Sequence, residues 1–389
     1  MDQGGAERTT LEMTRAIVGA GGKAIIATRG GRLVAELVAA GGKVEQLPVH
    51  SKNPITISRN AVRLMGLIRA HNVDLVHARS RAPAWSALIA ARRCNIPKVT
   101  TYHGAYRSNS TLKRLLNSSM VRADKVIANS NFTANEIVKA YKSVESRIVV
   151  VPRGADLTQF SQSVIAEERI TTLAKQWGIS RDQGSFVFLL PARFTEWKGH
   201  SLVIEALREL KSHNFPEKMP LSSGATGHTS KFSVVFVGDV EADTRYVSRL
   251  QDEIDGFGVR DMTSFVGHCT DMPAAYGLAD AVLSPSLRPE AFGRVAVEAG
   301  AMGKVAIVAD HGGARETILP GETGFRHQPG DAKELARMMV DVATMPKQEL
   351  KAIGDRALKN VRENFSTHAM ANATLGVYKS LLETAHGLG

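Results

Sequence analysis

Cysteine is almost absent: Cys94 and Cys269 are the only two in 389 residues. They lie too far apart for a CxxC or any Cys/His ligand spacing, so a reducing cytoplasm and a metal-free protein are the plain readings. No apolar run approaches the ~20 residues needed to cross a bilayer, and no secretory signal pattern opens the sequence. Aromatic residues make up 6% of the chain, and no aromatic stacking platform accompanies the basic residues, which argues against nucleic-acid binding. No Ser/His/Asp set and no short-period repeat stands out. What remains is a chain that is 43% hydrophobic and long enough for two domains of ordinary size.

Acidic residues are scarce in the first half. Residues 1–155 carry 24 Lys and Arg against 9 Asp and Glu, a net +15; the rest carries 25 against 29, a net −4. Charge this uneven points the first half toward something anionic, and nucleic acid, an anionic membrane leaflet or a phosphorylated lipid would each fit the charge alone.

Strands alternate with amphipathic helices throughout. KAIIATRG, KVEQLPV, VDLVHA, KVTTYHG, DKVIANS and RIVVVPRG read as strands of a first series. A second series follows with SFVFLLPARF, FSVVFVGDV, MTSFVGH, DAVLSPS and KVAIVAD. Such alternation predicts parallel, doubly wound sheets. The boundary falls at VPRGADLTQF, giving one domain over 1–155, to which a helix of about 370–389 returns, and a second over 156–369. The Pro, Gly, Ser and Thr-rich stretch at 215–230 reads as a surface loop. Ligands of open α/β sheets bind beyond the carboxyl ends of the strands, so functional residues should stand just after strands.

The sharpest constellation is RPEAFGRVAVEAGAMG, residues 288–303. Glu290 and Glu298 are eight apart, with a helix starting near Phe292. The backbone N–H groups of Phe292, Gly293 and Arg294 would face phosphate oxygens at the helix start. Glu290 suits a sugar's hydroxyls and Glu298 a ribose; as purely structural groups they would be a cap and a solvated helix residue.

This stretch resembles the E-x7-E signature of the retaining GT-B glycosyltransferases of family GT4, in its bacterial envelope or lipopolysaccharide-core type. The resemblance covers nearly the whole chain and implies a fold of two Rossmann-like domains facing across a cleft. PARFTEWKGHSLVIEAL is similar to the family's RxxxxKG segment, which implies that Arg193 and Lys198 hold the donor diphosphate, a guanidinium and an ammonium against two phosphates. SFVGHCTDMPAAYGLADAVLSPS resembles the base-holding loop, with Val266, Gly267 and His268 meeting the base. DHGGARETILPGETGF resembles the GG-x-x-E turn, with Gly312 and Gly313 as backbone turns. VTTYHGAY implies that His103 bonds the donor sugar near its anomeric carbon, and Gly4 and Gly5 match the glycine loop that approaches the diphosphate. VPRGADLTQF departs from the family's N-G-x-D-x-x-F in having Arg153 where Asn is usual; Asp156 reads as a linker cap.

The resemblance further implies transfer of a hexosyl unit from a nucleotide-sugar donor with retention, with no cofactor beyond that co-substrate and no essential metal. Arg79, Arg81, Arg107, Lys113 and Arg114 then become acceptor or membrane contacts, with Arg122 nearby. The helix carrying Arg59, Arg63 and Arg69 beside Leu64, Met65, Leu67 and Ile68 adds a basic face. Together they suggest a cytoplasmic enzyme held peripherally on the inner face of the membrane, acting on a lipid-linked or phosphorylated glycan. Rival readings are a GT-B nucleotide-sugar epimerase, which needs no E-x7-E beside RxxxxKG, and a non-catalytic basic membrane-binding protein, which leaves both motifs without purpose.

The opening MDQGGAERTTLEM places only three residues before its glycine pair, whereas such loops normally follow a strand. The expectation is that the family's first N-terminal strand is missing, through a miscalled start or a truncation, and that the first sheet has a gap near its middle.

Overall fold

The computed structural model describes residues 5–104, 111–180, 185–213, 231–385 and 387. The chain divides into two compact units, Met1–Arg153 with Thr367–Gly389, and Gly154–Ser366. Gly4, Arg107 and the loop at 215–230 lie outside the described residues.

The first unit holds β1 (Ile25–Thr28), β2 (Lys43–Gln46), β3 (Val76–Ala78), β4 (Lys98–Tyr102), β5 (Lys125–Ala128) and β6 (Ile148–Val150). All pair in parallel, yet they form two separate sheets, β1-β2 and β3-β4-β5-β6. The interruption expected from the sequence is thus present as a break between a two-stranded and a four-stranded piece. The helix Gly5–Gly19 opens the described chain, and its Met13 packs in one cluster with Val99 and Ile127 of the sheet, with Val151 just after β6, and with Met370, Ala371 and Val377. The last three belong to the helix Thr367–Ala385, which is why the chain's end joins the first unit.

The second unit holds β7 (Ser185–Pro191), β8 (Lys231–Val237), β9 (Thr263–Phe265), β10 (Ala281–Ser284), β11 (Val305–Ala309) and β12 (Phe325–His327). They form one parallel sheet in the order β12-β11-β10-β7-β8-β9. Its central strands are apolar on both sides because both faces are covered by helices. Phe186, Phe188 and Leu190 enter one core cluster, with Leu202, Leu207 and Met339 of the helices His200–Ser212 and Ala332–Ala343. Val187 and Leu189 point the other way, toward Ala275, Tyr276 and Val297, as a period of two demands. Two helices not singled out in the sequence, Glu167–Trp177 and Lys347–Asn364, complete the covering layers.

The strand order reverses between β7 and β10, since β8 follows β7 on one side and β11 follows β10 on the other. Loops leaving these two strands diverge there and leave a crevice at the sheet's carboxyl edge. Arg193 and Lys198 follow β7, and Glu290 follows β10.

Candidate active site

Close backbone packing brings the two loops together. Gly199, just after Lys198, has φ +80°, and a Cβ there would lie 2.1 Å from the carbonyl oxygen of Pro285. Only glycine allows this approach. Leu287 N–H donates to the Trp197 carbonyl at 2.7 Å, tying the loop after β10 to the turn after β7. The result is an ion pair between residues far apart in sequence: Lys198 Nζ lies 2.7 Å from Glu290 Oε1, with the two side chains 14% and 12% exposed. The same Oε1 accepts from Ser286 Oγ at 2.5 Å, and the Lys198 ammonium sits 4.4 Å from the Trp197 ring centroid.

The glycine pair Gly312-Gly313 shapes the other side of this loop. Gly313 N–H donates to the Glu290 carbonyl at 2.7 Å. A Cβ on Gly312, at φ +64°, would meet the Glu290 backbone at 2.6 Å, and one on Gly313 would meet the Ala291 carbonyl at 2.4 Å. His311 Nε2 donates to the Ser286 carbonyl at 2.7 Å. The helix starts at Arg294, two residues later than expected, because Gly293 takes φ +103° and acts as its N-terminal flank. Phe292 is buried in the core below. Glu298 is not a solvated helix residue: Tyr276 OH donates to its Oε2 at 2.9 Å and Arg294 Nη2 to its Oε1 at 2.6 Å. Burial and the adjacent Glu298 carboxylate push the Tyr276 phenol well above its ordinary range. Tyr276 was not read from the sequence; its only signal is an aromatic within a short buried helix, which looks like core.

Arg193 is exposed at the end of β7 and has no hydrogen-bond or ion-pair partner among the described residues. Val266, Gly267 and His268 follow β9, two strands from the switch point. Gly267 has φ +72°, and its carbonyl accepts from Gly238 N–H at 2.9 Å. His268 is exposed; with Val266 it lines a cavity of about 400 Å³ that also takes in Trp177, Arg169 and Asp271. Among the described residues no group of three or more His, Cys, Asp and Glu is placed to hold a metal ion.

In the first unit His103 follows β4. Arg153 Nη2 donates to its Nδ1 at 2.7 Å, and burial, then Arg153, Arg79 and His77, hold its pKa well below the ordinary range. The departure from the family's Asn is therefore a contact to His103. His77, in β3, is bonded to Tyr378 OH at 2.6 Å and to Thr101 Oγ1 at 2.7 Å. Arg79 is packed near Tyr378 and Glu12. Other basic residues serve the fold: Arg81 donates to Asn117 Oδ1 at 3.3 Å, and Arg114 donates to the Ala140 carbonyl at 2.6 Å while facing the Tyr141 ring. Arg122 lies over Trp85. Lys113 is exposed, and Gly5 begins the helix Gly5–Gly19. Asp156 caps its turn, accepting from Thr158 N–H at 2.9 Å.

A basic–acidic pair at the switch point of a parallel sheet, flanked by a glycine-shaped helix start, in a chain of two α/β units, defines a GT-B type of transferase. The family model Glycosyltransferase Family 4 matches residues 3–159, and Glycosyl transferases group 1 matches 172–359. A crystal structure of a glycosyltransferase from Rickettsia africae is similar, with 32% identity and a TM-score of 0.86 over 98% of this chain and 97% of that one. D-inositol 3-phosphate glycosyltransferase 1 of Catenulispora acidiphila is 25% identical over 83% of this chain and 76% of its own. The lipopolysaccharide core biosynthesis mannosyltransferase LpcC of Rhizobium leguminosarum is 27% identical over 67% of this chain and 66% of its own. The chain belongs to glycosyltransferase family 4, and it is a transferase of glycosyl groups.

Proposed function

We propose that this glycosyltransferase is a retaining hexosyltransferase that uses a nucleotide-sugar donor and a lipid-linked or phosphorylated envelope glycan as acceptor. The observation that carries this reading is the Lys198–Glu290 pair at the switch point, 2.7 Å apart and largely shielded from water. Glu290 takes one of the three N–H donors of Lys198, leaving the ammonium able to serve a donor phosphate oxygen as well. Arg193, exposed on the same segment after β7, supplies the second cation. Glu298, fixed by Tyr276 and Arg294, is placed to accept from a ribose, and Glu290 from the transferred sugar. The roles of His103 at the sugar and of residues 266–268 at the base rest on the family resemblance.

In this reading the bond from the anomeric carbon to the diphosphate breaks and a bond to the acceptor oxygen forms on the same face. The acceptor's proton passes to the leaving phosphate oxygen. The protein contributes positioning and charge stabilisation rather than a base, so no resident metal is required and chelators should leave transfer unchanged.

The acceptor class is supported by the relatives named for D-inositol 3-phosphate and for the lipopolysaccharide core. Membrane association, on the inner face of the cytoplasmic membrane, is supported by one face of the helix Pro54–His71, where Ile55 and Val62 are 65% and 63% exposed beside exposed Arg59, Arg63 and Arg69. Leu115 and Leu116 beside Lys113 add to it. Apolar side chains among cations suit an anionic leaflet. No helix among the described residues is long and apolar enough to cross a membrane.

Thermal unfolding with UDP-, GDP- and ADP-sugars tests the donor site. Ligand at ~100 Kd adds about 2.7 kcal/mol of stability. One donor should raise the melting temperature, and Lys198→Ala should cut the rise to half or less at the same ligand concentration. No rise with any donor would contradict the reading.

A further inference from the structure

Three successive strands of the first unit, β3, β4 and β5, are each followed immediately by a polar residue: Arg79, His103 and Asn129. The strands are neighbours in the sheet, in that order, with Tyr102 paired to Ala128. His103 and Asn129 therefore sit level on the carboxyl edge, and Arg79 leaves the neighbouring strand level with Thr101, at the edge where ligands of parallel sheets bind.

All three present buried N–H groups without a hydrogen-bond partner among the described residues: Arg79 Nε, His103 Nε2 and Asn129 Nδ2. For His103 the proton's place follows from its neighbour. Arg153 is donor-only, so His103 Nδ1 accepts from it; the neutral ring then carries its hydrogen on Nε2. The Asn129 side chain is 2% exposed, and neither its Nδ2 nor its Oδ1 is bonded. Buried donors are almost always satisfied. With the His103 donor given to the sugar, the Arg79 guanidinium and the Asn129 amide on either side of it call for a partner that is rich in acceptors and negatively charged. Glu12 and Tyr378 act on Arg79 from its other neighbours, while Arg153 and His77 stand around His103.

We propose that Arg79 and Asn129, flanking the His103 that the reading above gives to the donor sugar, form an oxyanion subsite that binds an anionic group, carboxylate or phosphate, on the acceptor glycan. This rests on the transferase reading above and deepens it. The donor's phosphates have their own cations, Arg193 and Lys198, in the other unit. The subsite makes a negative charge on the acceptor a condition of efficient transfer.

The test measures kcat/KM for matched glycoside acceptors bearing a carboxylate, a phosphomonoester or neither, with release of nucleoside diphosphate from the donor alone as a separate readout. The full chain should prefer at least one charged acceptor over the neutral one by tenfold or more, and which one names the group. Asn129→Asp places a carboxylate in the subsite, and Arg79→Gln removes its charge. Each should collapse the charged-to-neutral ratio toward one, whereas a merely structural defect would lower both rates together. Donor cleavage with no preference among acceptors, or a ratio unmoved in Asn129→Asp, would overturn the subsite. Absence of donor cleavage altogether would instead overturn the transferase reading.

Discussion

Lowering the pH from 7.5 to 5 should loosen the second unit through one residue. His200, fully buried and adjacent to the Lys198-Gly199 turn, stacks on Phe194 with ring centroids 4.7 Å apart and packs edge-on to Tyr246. Neither of its ring nitrogens has a partner among the described residues. Burial, then the Lys198 charge, lowers its pKa to about 3. The unfolded chain binds a proton there near pH 6.5 and the folded chain does not, so the stability is fully present above pH 6.5 and drains away as pH falls toward 3. At about 1.4 kcal/mol per pH unit below 6.5, the loss by pH 5 is about 2 kcal/mol. Denaturant unfolding by Trp fluorescence reads this in a Trp85→Phe background, which leaves Trp177 and Trp197, both in the second unit. His77, His103 and His327 shift in the same direction, so the measure is a difference: His200→Phe should show about 2 kcal/mol less pH dependence than the parent between pH 7.5 and 5. Equal pH dependence in the two proteins would refute the argument.

Further outcomes follow from the same contacts. Lys198→Ala should weaken donor binding by 10- to 100-fold, since a charge-assisted hydrogen bond contributes about 1.5–3 kcal/mol; calorimetric titration measures it. Gly312→Ala should cost more activity than Gly330→Ala. Both have positive φ, but only at Gly312 would a Cβ strike backbone, that of Glu290, while nothing lies within 4 Å at Gly330; steady-state rates of the two variants decide. Tyr276→Phe should raise the donor KM several-fold by releasing Glu298, because one hydrogen bond to a charged group is lost, with kcat less affected. Replacing Arg59 and Arg63 by Glu should reduce sedimentation with anionic vesicles while leaving binding to neutral ones low, each basic residue near such a surface being worth about 1 kcal/mol.

The repeating βα pattern was legible because it follows from period and punctuation: apolar runs such as VFLL become buried central strands, and Gly178 and Gly258 end helices in the left-handed conformation. The glycine turns at 199, 293 and 312 were legible as motifs, and their backbone collisions explain why only glycine serves. The Lys198–Glu290 contact was not, since 92 residues separate the partners and only the order of strands in the sheet joins them. Tyr276 beneath Glu298, and Asn129 beside His103, were missed for the same reason: each is ordinary in sequence and acquires meaning from a neighbouring strand or helix. The basic half was read correctly as an excess of charge but not sorted. Arg81, Arg114 and Arg122 are bound to their own fold, whereas Arg59, Arg63 and Lys113 remain outward.

The most direct measurement follows the anomeric proton of the product by NMR during transfer from the nucleotide-sugar that stabilises the chain. The account predicts release of nucleoside diphosphate with a product of the donor's own anomeric configuration, abolished in Lys198→Ala. An inverted product, or no diphosphate release from any donor, would contradict it.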